Sequence, residues 1–272
     1  MLTNYLSDQY KDLNNLILKK KNNYVNAKPF PHIVLNNFFK LNILEELSNH
    51  FPKNLEDSKD SMDWDTVHEK KTSANPVQIK FNDKIYDFFN LLNSYYFLNF
   101  LQQITDIKEK LIPDPYFWGG GLASVKRGGY LKIHADFNIH PKMQLNRRIN
   151  VLIYLNKDWK EDYGGHLEFW NREMSECQKT ISPNFNTVVI FNTNDFSYHG
   201  HPTPLLCPEG VTRNSIALYY YTNGRPISET NPNNYEHSTL WKNRKNLKEV
   251  ETVKVKYKKV FGKFYVKKKF KS

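Results

Sequence analysis

From Leu122 onward the chain breaks into short apolar runs punctuated by Gly, Pro and Asn: "GLASVKRGG", "YLKIHAD", "RINVLIYLN", "GHLEFWN", "NTVVIFN" and "NSIALYYYT". Six such runs within about 100 residues have the rhythm of an all-β sandwich or barrel. The rhythm predicts a mainly β fold, a double-stranded β-helix or jelly roll, with the helices that precede it packed outside.

Ahead of that region the period is helical. Residues 1–28 are polar with a helical flavour, and Pro29 to Phe39 reads as a short strand. A helix follows over "LNILEELSNHF", where Leu41, Ile43, Leu44, Leu47 and Phe51 recur at helical spacing. Pro52 to Asn75 is polar and loop-like around Trp64, and a second, proline-free helix is predicted from Asp83 to Ile107. The chain therefore divides into an N-terminal elaboration (1–110), a jelly-roll core (111–226) and a C-terminal extension (227–272).

The chemistry concentrates in "YLKIHADFNIHPK", Tyr130 to Lys142. Side chains i and i+2 of a strand face the same way, so His134 and Asp136 offer an imidazole and a carboxylate side by side. A third ligand is expected from a neighbouring strand. The best candidate is His199 in "FSYHGHP", with His201 as a rival two residues on. Two histidines and a carboxylate on one side of a metal, with other positions open, suit non-haem Fe(II). Arg213, just before the strand "NSIALYYYT", supplies a guanidinium able to grip a carboxylate through two parallel hydrogen bonds. Such a grip fits 2-oxoglutarate, and Tyr154 in "VLIYLNKDW" is placed to donate to the same carboxylate. Solvated positions are expected for His140, His166 and His201, a hairpin turn at Gly128 and Gly129, and either a bulge or a substrate-facing lip at Trp118 and the glycines after it.

The order His-x-Asp, tyrosine strand, "GGHLEF", "HG", then Arg and a strand resembles the Fe(II)- and 2-oxoglutarate-dependent dioxygenases, in particular their prolyl 4-hydroxylase-like branch. "YLNKDW" followed by "GG" is similar to the hypoxia-factor prolyl hydroxylases. The resemblance covers roughly Leu122 to Thr222. It implies that His134, Asp136 and His199 hold iron, and that Arg213 and Tyr154 hold 2-oxoglutarate. It further implies hydroxylation by dioxygen of an unactivated C–H, prolyl in the first instance, with succinate and CO2 released and L-ascorbate as a possible reductant. Arg147 sits where that branch has a basic residue near the substrate mouth, and Trp118 is the other candidate substrate contact. The chain departs from the pattern in the longer interval between His199 and Arg213, and in Ser124 and Val125 where the branch has a tyrosine. Alternative readings are a hydroxylase of a sugar, lipid or metabolite precursor, and a non-catalytic jelly-roll module with a basic tail.

Charge bears on that last alternative. The chain carries +11, and residues 242–272 alone hold 13 Lys or Arg against two Glu, so the whole excess lies in the tail. Its alternating Lys and apolar residues around Phe261-Gly262-Lys263 predict a hairpin or edge strand with a lysine face, either a solvated edge or an arm for an anionic partner. Two cysteines, Cys177 and Cys207, do not make a disulfide framework. With no long apolar run and no secretory leader pattern, a cytoplasmic protein without a membrane span is expected.

Overall fold

A computed structural model of the chain describes residues 2–58, 61–76, 82–230 and 236–244 in full, together with the backbone of 257–260 and 263–266. In chain order the longer elements are α1 (Leu13–Val25), β1 (His32–Asn36), α2 (Leu41–His50), β2 (Met62–Asp65), β3 (Glu69–Ala74), α3 (Asp83–Leu92) and α4 (Tyr95–Thr105). Then come β4 (Gly121–Val125), β5 (Tyr130–Ala135), β6 (Asn146–Tyr154), β7 (Leu167–Trp170), β8 (Cys177–Ile181), β9 (Thr187–Asn192), β10 (His199–His201) and β11 (Arg213–Thr222). Three short strands close the described chain: β12 (Leu240–Trp241), β13 (Tyr257–Val260) and β14 (Lys263–Val266).

The strands roll into the expected jelly roll. Its order is β1-β9-β6-β11-β4-β3-β5-β10-β7-β8, all antiparallel, with β2 added to β3 and β12 to β5. Strand β6 shows how the fold divides its residues. Ile149, Val151 and Ile153 join Phe88, Phe97, Phe100 and Leu44 of the helices in the large core, while Leu152 and Tyr154 turn to the barrel interior with Phe169 and Phe191. Strand β11 repeats the pattern, since Ile216, Leu218 and Tyr220 also enter the helix-facing core. Burial of both faces explains why these strands read as near-continuous apolar runs.

Two expectations are corrected here. The helix predicted from Asp83 to Ile107 is two helices, because Ser94 is extended (φ −73°, ψ 157°) between the end of α3 and the start of α4. The Tyr220 hydroxyl donates to the Leu92 carbonyl (2.9 Å), so a tertiary partner satisfies a group a continuous helix would have paired, and the Asn93 side-chain amide ties the break to the Asp114 carbonyl (2.7 Å). The polar segment Pro52–Asn75 is not a loop: it supplies β2 and β3, and β3 lies between β4 and β5. The turn at Gly128–Gly129 therefore joins strands that flank β3 instead of pairing with each other. Within the tail, β13 and β14 pair antiparallel with Val260 opposite Lys263, as the hairpin expectation requires. The proposed lysine face falls on side chains outside the described residues. Among the described residues no helix is long and apolar enough to cross a membrane.

Candidate active site

β5 carries His134 near its end, Asp136 follows it immediately, and β10 places His199 directly opposite His134 in antiparallel register. The two rings stand 4.5 Å apart, centroid to centroid. His134 Nε2 is 3.4 Å from Asp136 Oδ1, and His199 Nε2 is 3.4 Å from Asp136 Oδ2. One ligand atom from each of the three side chains fits within 4.8 Å of the others.

The protonation chemistry agrees with a metal site. His134 Nδ1 lies 2.8 Å from the Lys132 carbonyl and His199 Nδ1 lies 2.9 Å from the Ser197 carbonyl, so each Nδ1 carries the proton and each Nε2 turns a lone pair inward. Burial pushes His199 down to about 4, with Asp136 only partly opposing, so the ring is neutral at physiological pH. Burial works against the Asp136 charge, but the Arg147 guanidinium beside it leads the opposing effects, which hold the carboxyl well below the usual range. Two imidazoles and one carboxylate form a donor set suited to a divalent transition metal with positions to spare, and Fe(II) fits it.

A small residue must follow His199. A Cβ on Gly200 would lie 2.7 Å from the carbonyl oxygens of both Leu131 and Lys132, because β10 crosses β5 at close quarters there. His201 is buried in the same strand, yet a register irregularity separates it from His199, and it does not join the cluster. The expectation of solvated histidines fails for it and for His140. His140 is wholly buried: its Nδ1 accepts the amide N–H groups of Lys142 (3.1 Å) and Met143 (3.0 Å), and its Nε2 faces Asp114 at 3.3 Å. It organises a turn, which a polar sequence context could not reveal. His166 is partly covered, 3.2 Å from the exposed Glu161.

Deeper in the barrel, Arg213 is buried at the start of β11. Its Nη2 donates to the Tyr154 hydroxyl (3.2 Å) and its Nε to the Gly165 carbonyl (2.7 Å). Gly165 has φ +72°, and a Cβ there would strike Leu205 Cδ2 at 2.5 Å and Arg213 Cδ at 2.9 Å, so the second glycine of "YGGHLEF" is the space the arginine needs. Trp118 is 41% exposed beside its glycine run. Its loop is tied down by Asp114, which accepts the amide N–H groups of Tyr116 (2.8 Å) and Trp118 (2.7 Å).

Arg147 differs most from expectation. It is only 1% exposed, and its Nη2 sits 3.0 Å from Asp136 Oδ2, so the guanidinium lies beside the candidate metal ligand and not at an open mouth. Two further residues escaped the sequence reading. Asn150 donates to Asp136 Oδ2 (2.8 Å), and its signal was a polar residue on the Tyr154 face of an apolar strand. Trp241, in β12 opposite His134, stacks on His68 (4.6 Å) and leans on the His134 ring (5.0 Å), with no signal in sequence.

Comparison with known proteins follows the same lines. Residues 120–221 match the family model described as the 2OG-Fe(II) oxygenase superfamily. A prolyl hydroxylase from Trichoplax adhaerens, solved in complex with a hypoxia inducible factor oxygen degradation domain peptide fragment, is similar at TM-score 0.51 and 17% identity, covering 79% of this chain and 92% of its own. A prolyl 4-hydroxylase from Phytophthora capsici is similar at TM-score 0.50 and 18% identity, covering 79% of this chain and 66% of its own. At these identities the likeness is one of fold. No curated protein sequence matches the chain.

Proposed function

We propose, on the premise that residues 120–221 are a 2OG-Fe(II) oxygenase superfamily domain, that this protein is an Fe(II)- and 2-oxoglutarate-dependent hydroxylase acting on a prolyl residue of a peptide or protein. The observation that carries the reading is the shared interior of one barrel: a His-Asp-His cluster on β5 and β10, and a buried arginine-tyrosine pair on β11 and β6. The prolyl substrate rests on the ordered "YLNKDW" and "GG" motif, and L-ascorbate is proposed as the reductant that maintains the metal.

The cofactor pair, when bound, supplies oxidation of an unactivated C–H by dioxygen, with succinate and CO2 as co-products. The chain's own residues prepare that chemistry. His134 and His199 present deprotonated Nε2 atoms because backbone carbonyls fix their tautomers, and Asp136 supplies the single negative charge. Arg213, held in place by Gly165 and Tyr154, binds the far carboxylate of the keto acid. Phe169 and Phe191, both without exposed surface, line the interior and exclude water.

Anaerobic titration of Fe(II) with and without 2-oxoglutarate tests the reading, since a chelated keto acid gives a weak visible charge-transfer band. A band, followed by succinate release that rises with prolyl peptides over proline-free controls, is expected. Succinate release stimulated only by a free sugar, lipid or amino acid would retain the oxygenase and remove the prolyl substrate; no band would remove both.

A further inference from the structure

The Asp136 carboxylate is held from one side only. Its Oδ2 receives the Asn150 amide (2.8 Å) and faces Arg147 Nη2 (3.0 Å), while Oδ1 lies against His134 with no donor from that pair. The two donors are themselves joined, because Asn150 Oδ1 accepts from Arg147 Nε (3.0 Å) and Nη2 (2.7 Å). The guanidinium cannot swing away, since its carbon lies 3.3 Å over the Tyr219 ring and 4.5 Å from that of Phe137. Tyr219 is anchored in turn, donating its hydroxyl to the Gly119 carbonyl (2.9 Å).

The backbone has been altered to allow this. With strict alternation Arg147 would share the helix-facing side of β6 with Ile149. The β6–β11 register shifts here: Ile149 opposes Tyr220 but Arg147 opposes Tyr221, leaving Arg148 as the extra residue of a bulge. A bulge re-aims the side chains beyond it. Arg148 goes outward to Glu109 (2.8 Å) and Glu229 (3.2 Å), and Arg147 turns in beside Asn150.

We infer that Arg147 and Asn150 are positioning residues that occupy Asp136 Oδ2 and so keep Asp136 a one-oxygen ligand, leaving metal positions free for the keto acid. The inference rests on the metal-site reading proposed above. A carboxylate relieved of both donors can turn its second oxygen to a metal ion, which adds a ligand and removes a site that 2-oxoglutarate's two oxygens require. The clamp thus governs the keto acid through the metal and touches neither the keto acid nor the substrate.

Cobalt(II) is the probe, because its d–d absorption weakens as coordination number rises and is read without turnover. In Arg147→Met/Asn150→Ala, Co(II) should still bind, its d–d bands should lose intensity, and 2-oxoglutarate should bind the Co(II) protein about 10-fold more weakly than in wild type. Arg147→Lys should restore part of both effects, which a merely structural role would not predict. Should the double variant fail to fold, Asn150→Ala alone should show the same changes, smaller. Unchanged bands and unchanged 2-oxoglutarate affinity in a folded variant would overturn the clamp, as would complete loss of Co(II) binding, since the pair would then build the site instead of limiting its ligands. Failure of the wild type to bind Co(II) at all would instead overturn the metal site on which the clamp depends.

Discussion

His199 and His201 sit two residues apart in one strand, both buried, and only one of them meets His134 and Asp136. The difference is made by the register irregularity between them, and it gives a sharp expectation. His134→Ala, Asp136→Ala and His199→Ala should each abolish the Fe(II)–2-oxoglutarate charge-transfer band, whereas His201→Ala should keep it. Arg213→Ala should weaken 2-oxoglutarate binding by roughly 100-fold, about 3 kcal/mol for a charge-assisted contact made out of water. Gly165→Ala should lower the same affinity without touching a polar group, because its Cβ would displace the Arg213 stem. Titration of 2-oxoglutarate into the Fe(II) protein checks both, and full affinity in either variant would contradict the pocket. At this scale the sequence was legible wherever a residue's chemistry and its strand parity agreed, as for His134, Asp136, Tyr154 and Arg213. It was not legible for Arg147, whose parity is reversed by a bulge that no residue type announces.

Elements were legible in proportion to how apolar they are. The strands β6, β9 and β11 announced themselves because both their faces are covered, whereas β3 did not. Its buried residues Glu69, Thr72 and Ala74 do not alternate strictly, and two of the three are polar, so the segment reads as loop. Residues 236–244 were equally hidden. They run along β5, with Leu240 opposite Ala135, Trp241 opposite His134 and the Lys242 amide donating to the Ile133 carbonyl (2.8 Å). The buried His237 fixes this strap: its Nε2 is 2.9 Å from Asp195 Oδ1, its Nδ1 is 2.7 Å from the Ser238 carbonyl, and its amide donates to Asn138 Oδ1 (3.0 Å). Both ring nitrogens face acceptors, so the imidazolium is the form that fits. Burial opposes its charge and Arg225 repels it, yet Asp195 and the carbonyl raise its pKa above the ordinary value. A raised folded pKa contributes stability that is complete below the ordinary histidine range and is lost as pH climbs through the raised value. Hydrogen exchange at the Lys242 amide, corrected for intrinsic rates, should therefore accelerate across that window. In His237→Gln the pH dependence should vanish, and its persistence would exclude His237 as the cause.

For the whole molecule, the two faces of β6 and β11 separate stability from chemistry: helices cover the face of Ile149 and Ile216, and the other holds Tyr154 and Arg213 of the candidate site. That much follows from the change of period at Leu122. The closure of the sheet does not, because three of its strands, β1, β2 and β3, come from the segment expected to lie outside it. β1 extends the sheet beyond β9, and β3 fills the gap between β4 and β5. Residues 111–226 hold every candidate ligand but none of those strands. Expressed alone, that fragment should be insoluble or fail to give a cooperative unfolding transition, while 1–244 should unfold cooperatively; a soluble, cooperatively unfolding 111–226 would refute the dependence.

Strand β3 joins the sheet more than 40 positions upstream of the strands it separates. The barrel therefore resembles a zip whose middle tooth is cut from an earlier length of cloth. During synthesis β3 must wait, paired with β2 alone and polar enough to stay soluble, until β4 and β5 emerge to enclose it. Its lysines and threonine, which hid it from the sequence reading, are what make that wait safe. The stretch that matches the oxygenase family model is thus shorter than the stretch that builds the sheet around it.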